Sequence, residues 1–328
     1  MSSPKTKRSP WFWIPSLYFA EGLPYVVVMT VSVIMYKRLG VSNTEIALYT
    51  SWLYLPWVIK PLWSPLVDIL KTKRHWIIAM QLLVGAGLAG VALTLPLDNF
   101  LRYSLAFLWL LAFSSATHDI AADGFYMLGL SQHKQAWFVG VRSTFYRLAM
   151  ITGQGLLVML AGYIEAVAGD LTRAWTVTFY VLAGLFVLFF LYHQWALPRT
   201  AADMPRSHNG IADIFREFGH TFLSFFKKQH IVPALAFLLL FRFAEAQLAK
   251  MASPFLLDAA EAGGLGLSTS QVGFVYGTVG VLMLTLGGIL GGVLAARHGL
   301  KFWLWWMVAA INLPNAVYIF LATFQPEA

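Results

Sequence analysis

Apolar residues in this chain do not alternate with polar ones. They come in long runs, broken by short polar stretches that carry most of the charge. Runs of about 20 apolar residues match the hydrocarbon thickness of a bilayer when coiled as a helix. Nine such runs are read: 11–36, 43–66, 75–96, 101–130, 137–164, 174–196, 231–257, 268–296 and 301–323. The pattern predicts an all-α, polytopic membrane protein. The connections are short except for residues 197–230, which are polar and contain Pro198 and Pro205. This stretch divides the chain into a six-helix bundle over 1–196, a linker over 197–230 and a three-helix set over 231–328.

Within the linker, Ile211, Ile214, Phe215, Phe218, Phe222, Phe225 and Phe226 recur at helical spacing, with Asp213, Arg216, Glu217 and Lys227 between them. That is the pattern of an amphipathic helix lying on a membrane face. A partner-binding helix is the alternative. Fifteen Lys and Arg residues, from Lys5 to Lys301, fall on one side of the predicted spans, against Lys37, Arg38, Arg102 and Arg173 on the other. The positive-inside bias makes the first side cytoplasmic, and with it the amino terminus and residues 197–230.

Composition changes this picture little. The 328 residues are 59% hydrophobic and 12% charged, where soluble domains carry about 25% charged residues. The net charge of +8 sits at span ends and sets orientation, so no nucleic-acid partner is expected. There is no cysteine, which excludes disulfides and thiolate chemistry. The basic first ten residues precede a run too long for a cleaved signal and without a small-residue cleavage site, so that run is a first span.

The residues that break the apolar rule carry the chemistry. Asp119 and Asp123 lie four apart in the fourth run, on one helical face with Ser115 and Tyr126. A carboxylate at membrane depth costs about 2.5–3.5 kcal/mol by insertion scales, and must face protein or water. Such groups mark substrate or ion paths; the alternative is a polar pair that fixes helix packing. His118 is about 100° around the helix from Asp119 and faces a neighbouring span. No second histidine stands at metal-ligand spacing, and neither metal nor cofactor is expected. Arg147 is at the depth of Asp119 and Arg142 nearer Asp123, so two Arg–Asp pairs are expected, structural or gating. Lys60 ends the second span and is read as snorkelling to the cytoplasmic surface. Gly153, Gly155 and Gly162 are read as allowing close helix packing in the fifth span.

The chain also repeats itself. Phe19-Ala20-Glu21 matches Phe243-Ala244-Glu245. Gly40-Val41-Ser42-Asn43-Thr44-Glu45-Ile46 matches Gly266-Leu267-Ser268-Thr269-Ser270-Gln271-Val272. Ser64-Pro65-Leu66-Val67-Asp68 with Lys73 matches Gly292-Val293-Leu294-Ala295-Ala296 with Lys301. The offsets of 224, 226 and 228 keep three blocks in order. Six spans followed by a repeat across a cytoplasmic loop resembles the two-half plan of the major facilitator superfamily. Gly292, Leu294, Arg297, Gly299 and Lys301 are similar to that superfamily's loop motif, whose first-half copy keeps the acid as Asp68. There the resemblance implies that Asp68 and Lys73 form a latch at a cytoplasmic helix end.

Closer resemblance is to the branch of muropeptide permeases of the AmpG type and their acetyl-CoA transporter relatives. It is carried by Gly22-Leu23-Pro24, Leu62-Trp63-Ser64-Pro65-Leu66-Val67-Asp68, Ser115-Ala116-Thr117-His118-Asp119-Ile120 with Asp123, and Tyr146-Arg147-Leu148-Ala149-Met150 with Gly153 and Gly155. Glu21 stands where that family often has a small residue, and His118 where it often has Gln. The resemblance implies proton-coupled uptake of an N-acetylglucosaminyl-anhydromuramyl peptide across a bacterial inner membrane, by a monomer.

It also implies that the first, fourth and seventh spans line a central cavity. Glu21 is ~15 Å into its span, Asp119 ~18 Å and Glu245 ~20 Å. Asp119 with Glu21, then Asp123 and Glu245, are the expected proton carriers. Arg242, Gln247 and Lys250, with His118 and Tyr126, are the expected substrate contacts, suited to a carboxylate-bearing solute. The alternatives are another anionic solute, such as a CoA thioester or a sugar, a non-transporting sensor, and an integral-membrane enzyme. The superfamily plan has twelve spans, so a nine-span reading makes this chain a carboxy-terminally truncated transporter. A complete nine-span chain closed by a dimer is the alternative.

Overall fold

The structure, a computed structural model, describes residues 8–204, 211–241, 243, 245, 248, 255–256, 259–267, 279–298 and 300–324. Among them the secondary structure is helical, without strands. The chain forms two compact units, Met1–Phe222 and Leu223–Ala328, and the division falls inside the stretch read as a linker.

Six helices among the described residues are long and apolar enough to cross a membrane: Pro10–Arg38, Lys73–Thr94, Phe100–Gly129, Gln132–Ala168, Leu171–Ala196 and Lys301–Phe324. The first five are spans one, three, four, five and six of the sequence reading, and the last is span nine. Span five begins earlier than predicted. Its far end closes on Gly169 at φ 67°, a left-handed position that glycine adopts without steric cost. Asp170 then caps span six, its carboxylate accepting from the Arg173 N–H at 3.1 Å.

Span two is not the single helix that its apolar run predicts. It starts on a capping box between Ser42 and Glu45, in which each side chain accepts from the other's backbone N–H. It then breaks into Asn43–Ser51, a 3₁₀ turn over Trp52–Tyr54, Leu55–Ile59, a second 3₁₀ turn over Lys60–Leu62, and Ser64–Leu70. Pro56, Pro61 and Pro65 each lack the N–H that an uninterrupted helix needs. Hydropathy locates this run, but it does not register the accumulated prolines.

Spans one and five each carry a π-helical turn. Pro24 sits inside span one, and a π-helical turn over Val27–Val31 comes after it. Span five carries its own π turn over Thr152–Leu157, packed against the first. The two helices touch through glycine. A Cβ on Gly22 would lie 2.9 Å from the Ala149 Cβ, and one on Gly153 would lie 2.1 Å from a Val26 methyl. Gly155 and Gly162, also read as packing glycines, have nothing within 4 Å of such a Cβ. Span three packs against spans four and six, and a Cβ on its Gly90 would strike the Phe107 ring of span four. A core of Leu23, Val26, Val28, Leu88, Leu108, Leu111, Phe179 and Phe186 fills the space between these helices.

The linker begins by docking on span three. Asp203, buried, accepts from the Lys73 N–H at 2.6 Å and from the Arg74 N–H at 2.9 Å, while Arg74 donates to the carbonyls of Leu197 and Gln194. The amphipathic pattern after it forms the helix Ile211–Phe226, with Phe215, Leu223, Phe225 and Phe226 exposed.

In the second unit the described helices are Ile231–Leu240, Val281–His298, Leu300–Asn312 and Asn315–Phe324. Span seven is therefore seen to Leu240, with isolated positions beyond, and the beginning of span eight lies outside the described residues. Span nine breaks at Leu313-Pro314, where the Asn312 amide returns to the Val308 carbonyl at 2.9 Å.

Candidate functional site

The Phe100–Gly129 helix presents Asp119 and Asp123 one turn apart, and three other spans answer them. Glu21 comes from span one, where it is 7% exposed. It lies beside Asp119 and within electrostatic range of Asp123 and Arg142. Its Oε2 has no hydrogen-bond partner among the described residues. Lys60, from the 3₁₀ turn of span two, closes an ion pair with Asp119. Arg142, from span five, pairs with Asp123 at 2.8 Å. Three carboxyl groups thus meet two cations.

Tyrosines fix the Asp123 side of this cluster. Tyr18 donates to Asp123 Oδ1 at 3.1 Å, and the Arg142 guanidinium lies 4.6 Å from the Tyr18 ring centre and 5.1 Å from that of Tyr126. A planar cation over aromatic faces, with a carboxylate at its edge, has its orientation set from both sides. Tyr126 packs edge-on to Tyr18 at 5.9 Å and donates to the Gln135 carbonyl. Its hydroxyl is thereby engaged within the bundle.

Two tryptophans neighbour Lys60 along span two. Trp57 and Trp63 are three residues before and three after Lys60. Trp57 meets Tyr25 edge-on at 5.1 Å; Trp63 packs on Phe113 at 5.5 Å and donates to Thr117 Oγ1 at 3.3 Å.

The expected residues therefore come together in part. Glu21, Asp119, Asp123 and Arg142 form one cluster. The cation on Asp119 is Lys60 of span two, which the sequence pattern sends to the membrane surface; Arg147, the expected partner, is half-buried on span five. Asp68 and Lys73 form an ion pair at the start of span three, with Lys73 buried and Asp68 exposed. Glu245 belongs to the second unit and is half-buried there. Arg242, Gln247 and Lys250 lie outside the described residues.

His118 points away from the acids, as its 100° offset predicts. It is 2% exposed, and its Nε2 lies 3.1 Å from the amide nitrogen of Gln81 on span three. The same nitrogen lies 2.9 Å from Nδ1 of His193 on span six, whose Nε2 is 2.9 Å from Ser16 Oγ on span one. With the amide donating to both rings, His193 donates onward to Ser16, which donates to the Trp13 carbonyl at 3.3 Å. This chain of bonds ties four spans together; Gln81, His118 and His193 are almost wholly buried and Ser16 is partly buried. The sequence pattern does not single out Gln81 or His193. Its one signal is a Gln and a His each isolated in an apolar run, and nothing along the chain pairs them.

Residues 16–327 match the family description of the Major Facilitator Superfamily. The chain is 26% identical over 303 residues to a protein of Rickettsia conorii named putative transporter AmpG 4, covering 88% of this chain and 68% of that one. It is 26% identical over 298 residues to the anhydromuropeptide permease of Escherichia coli strain K12, covering 87% of this chain and 55% of the permease. It is also 25% identical over 316 residues to an uncharacterized protein of Haemophilus influenzae, covering 93% of this chain and 69% of that one. A match along nearly the whole sequence, an all-helical bundle of long apolar helices, and charged groups gathered inside that bundle agree with one another: this chain belongs to the Major Facilitator Superfamily and is a multi-pass membrane transporter of that family.

Proposed function

We propose that this transporter carries a muropeptide-like solute, an amino sugar bearing an acidic peptide, inward across a bacterial inner membrane in symport with protons. The observation that supports it most is the cluster of Glu21, Asp119 and Asp123 against Lys60 and Arg142. Two ion pairs, Lys60 with Asp119 and Arg142 with Asp123, leave the Glu21 carboxyl without a cation of its own in the cluster, inside a bundle where unbalanced charge is costly, and a proton taken up by the cluster balances it. Asp119 is the main proton carrier and Glu21 the second; Asp123, held by Arg142 and Tyr18, and Glu245 in the second unit complete the set. Arg242, Gln247 and Lys250 contact the solute, and the Asp68–Lys73 pair belongs to the cytoplasmic gate. The names of relatives, a muropeptide permease among them, support the solute class.

The reading is tested by uptake of a labelled anhydromuropeptide into proteoliposomes holding the chain, with and without an imposed pH gradient. Accumulation that collapses when the gradient is dissipated is expected. Accumulation indifferent to the gradient overturns the coupling, and a labelled CoA thioester or simple sugar taken up in place of the muropeptide overturns the solute. A reaction product in place of accumulated solute would favour the enzyme reading.

A further inference from the structure

We propose that Lys60 is the group that receives a carboxylate of the solute, and that Asp119 is its counter-ion while the site is empty. This rests on the acidic solute proposed above and assigns the contact to a residue of span two.

The break in span two creates the opportunity. Pro56 and Pro61 flank Lys60, so the backbone turns through 3₁₀ geometry over Lys60–Leu62 instead of carrying the side chain round with a regular helix. The ammonium reaches Asp119, and the pair remains accessible, with the Lys60 side chain 35% and the Asp119 side chain 16% exposed. Accessible charge at membrane depth cannot face lipid at low cost, so it faces water or protein. The other cation of the cluster is less available. The guanidinium of Arg142 is committed to Asp123 and covered by two tyrosine rings.

The surroundings suit a sugar acid better than a small inorganic anion. Trp57 and Trp63 stand three residues to either side of Lys60, Trp57 against Tyr25 and Trp63 against Phe113, and Trp63 donates to Thr117, two residues before Asp119. Rings of this kind offer apolar area at low entropy cost beside a few placed polar groups, which is the make-up of small-molecule sites. The charge balance closes. Asp119 gains a proton and releases the Lys60 ammonium, and the ammonium pairs with the incoming carboxylate. One proton and one negative charge enter together, and the net charge of the cluster is unchanged. Solute binding and proton uptake at the site then favour each other, which is the linkage that symport needs.

The test uses the full 328-residue chain in nanodiscs, with labelled anhydromuramyl tripeptide and its analogue in which every peptide carboxyl is an amide. The wild-type chain is expected to bind the acid form at least tenfold more tightly than the amide. Lys60→Gln should erase that preference, read as the ratio of the two affinities within the variant, and Lys60→Arg should restore most of it. Asp119→Asn, a neutral stand-in for the protonated acid, should tighten binding of the acid form, and it should raise the rate at which an amine-acylating reagent modifies Lys60, read by mass spectrometry. The variant Lys60→Gln/Asp119→Asn leaves no orphaned charge and serves where Lys60→Gln alone fails to fold; it too should show no preference. A preference for the acid form that survives Lys60→Gln or the double variant overturns the proposal and leaves the solute assignment standing. Slower acylation of Lys60 or weaker acid binding in Asp119→Asn overturns the counter-ion role. A wild-type chain that binds neither form overturns the solute assignment itself, and the proposal with it.

Discussion

At the scale of single residues, the site is a problem of charge held away from water. Asp119 shares Lys60 and neighbours Glu21, whereas Asp123 is fixed by Arg142 and the Tyr18 hydroxyl. The two aspartates are one turn apart yet differently committed, so their replacement should have different effects. Asp119→Asn is expected to abolish proton-driven uptake while the protein still reaches the membrane and elutes as a folded species. Unchanged uptake would remove the coupling role, and loss of the folded species alone would favour a packing role. The Gln81 network makes a separate prediction. Gln81→Leu strips the shared donor from two buried imidazoles, at about 1–3 kcal/mol for each group left unsatisfied. Thermal unfolding in detergent should show a clear drop in midpoint. An unchanged midpoint would mean that water or a rotated imidazole replaces the amide.

At the scale of elements, the π turns and prolines decide where side chains point. A π turn inserts a residue into the helical register and re-aims the side chains beyond it, and such turns are frequent at functional sites. Here two of them lie against each other, just beyond Glu21 on span one and Arg147 on span five. The close approach beside them depends on absent side chains. Gly153→Val should force Val26 or the helix axis aside and cost about 1–3 kcal/mol. Gly155→Ala, with open space around it, should be neutral or stabilising by about 0.5–1 kcal/mol through lower backbone entropy. Paired thermal melts of the two variants test this, and equal losses would show that the contact does not limit stability.

At the scale of the whole molecule, the charge distribution along the chain predicts orientation. The first ten residues, the loop before span three and residues 197–230 are rich in Lys and Arg. Because the sequence contains no cysteine, a single introduced one reports without background. Pro205→Cys is expected to resist an impermeant maleimide in intact cells and to react after permeabilisation. Labelling from outside would reverse the topology, and with it the assignment of Asp68 and Lys73 to a cytoplasmic gate. The docking of Asp203 on the amino end of span three ties the linker to the helix that carries Lys73.

What the sequence determined alone was whatever depends on local composition. Apolar run length set five of the six first-unit spans, because a bilayer demands continuous apolar surface over a fixed thickness. The amphipathic period located the helix Ile211–Phe226, and the expense of buried charge singled out Asp119, Asp123 and Arg142, to which the family resemblance added Glu21, before any contact was known. Partnership was another matter. Lys60 looked like a surface-seeking lysine because its own run ends nearby, and only the break at Pro56 and Pro61 turns it onto Asp119. Gln81 and His193 are 112 positions apart, each an isolated polar residue whose meaning lies in the other. Gly153 mattered and Gly155 did not, although both sit in one helix two residues apart, since only one faces Val26. These outcomes depend on how helices pack across the bundle, where spacing along the chain sets the face of a residue but not the neighbour it meets.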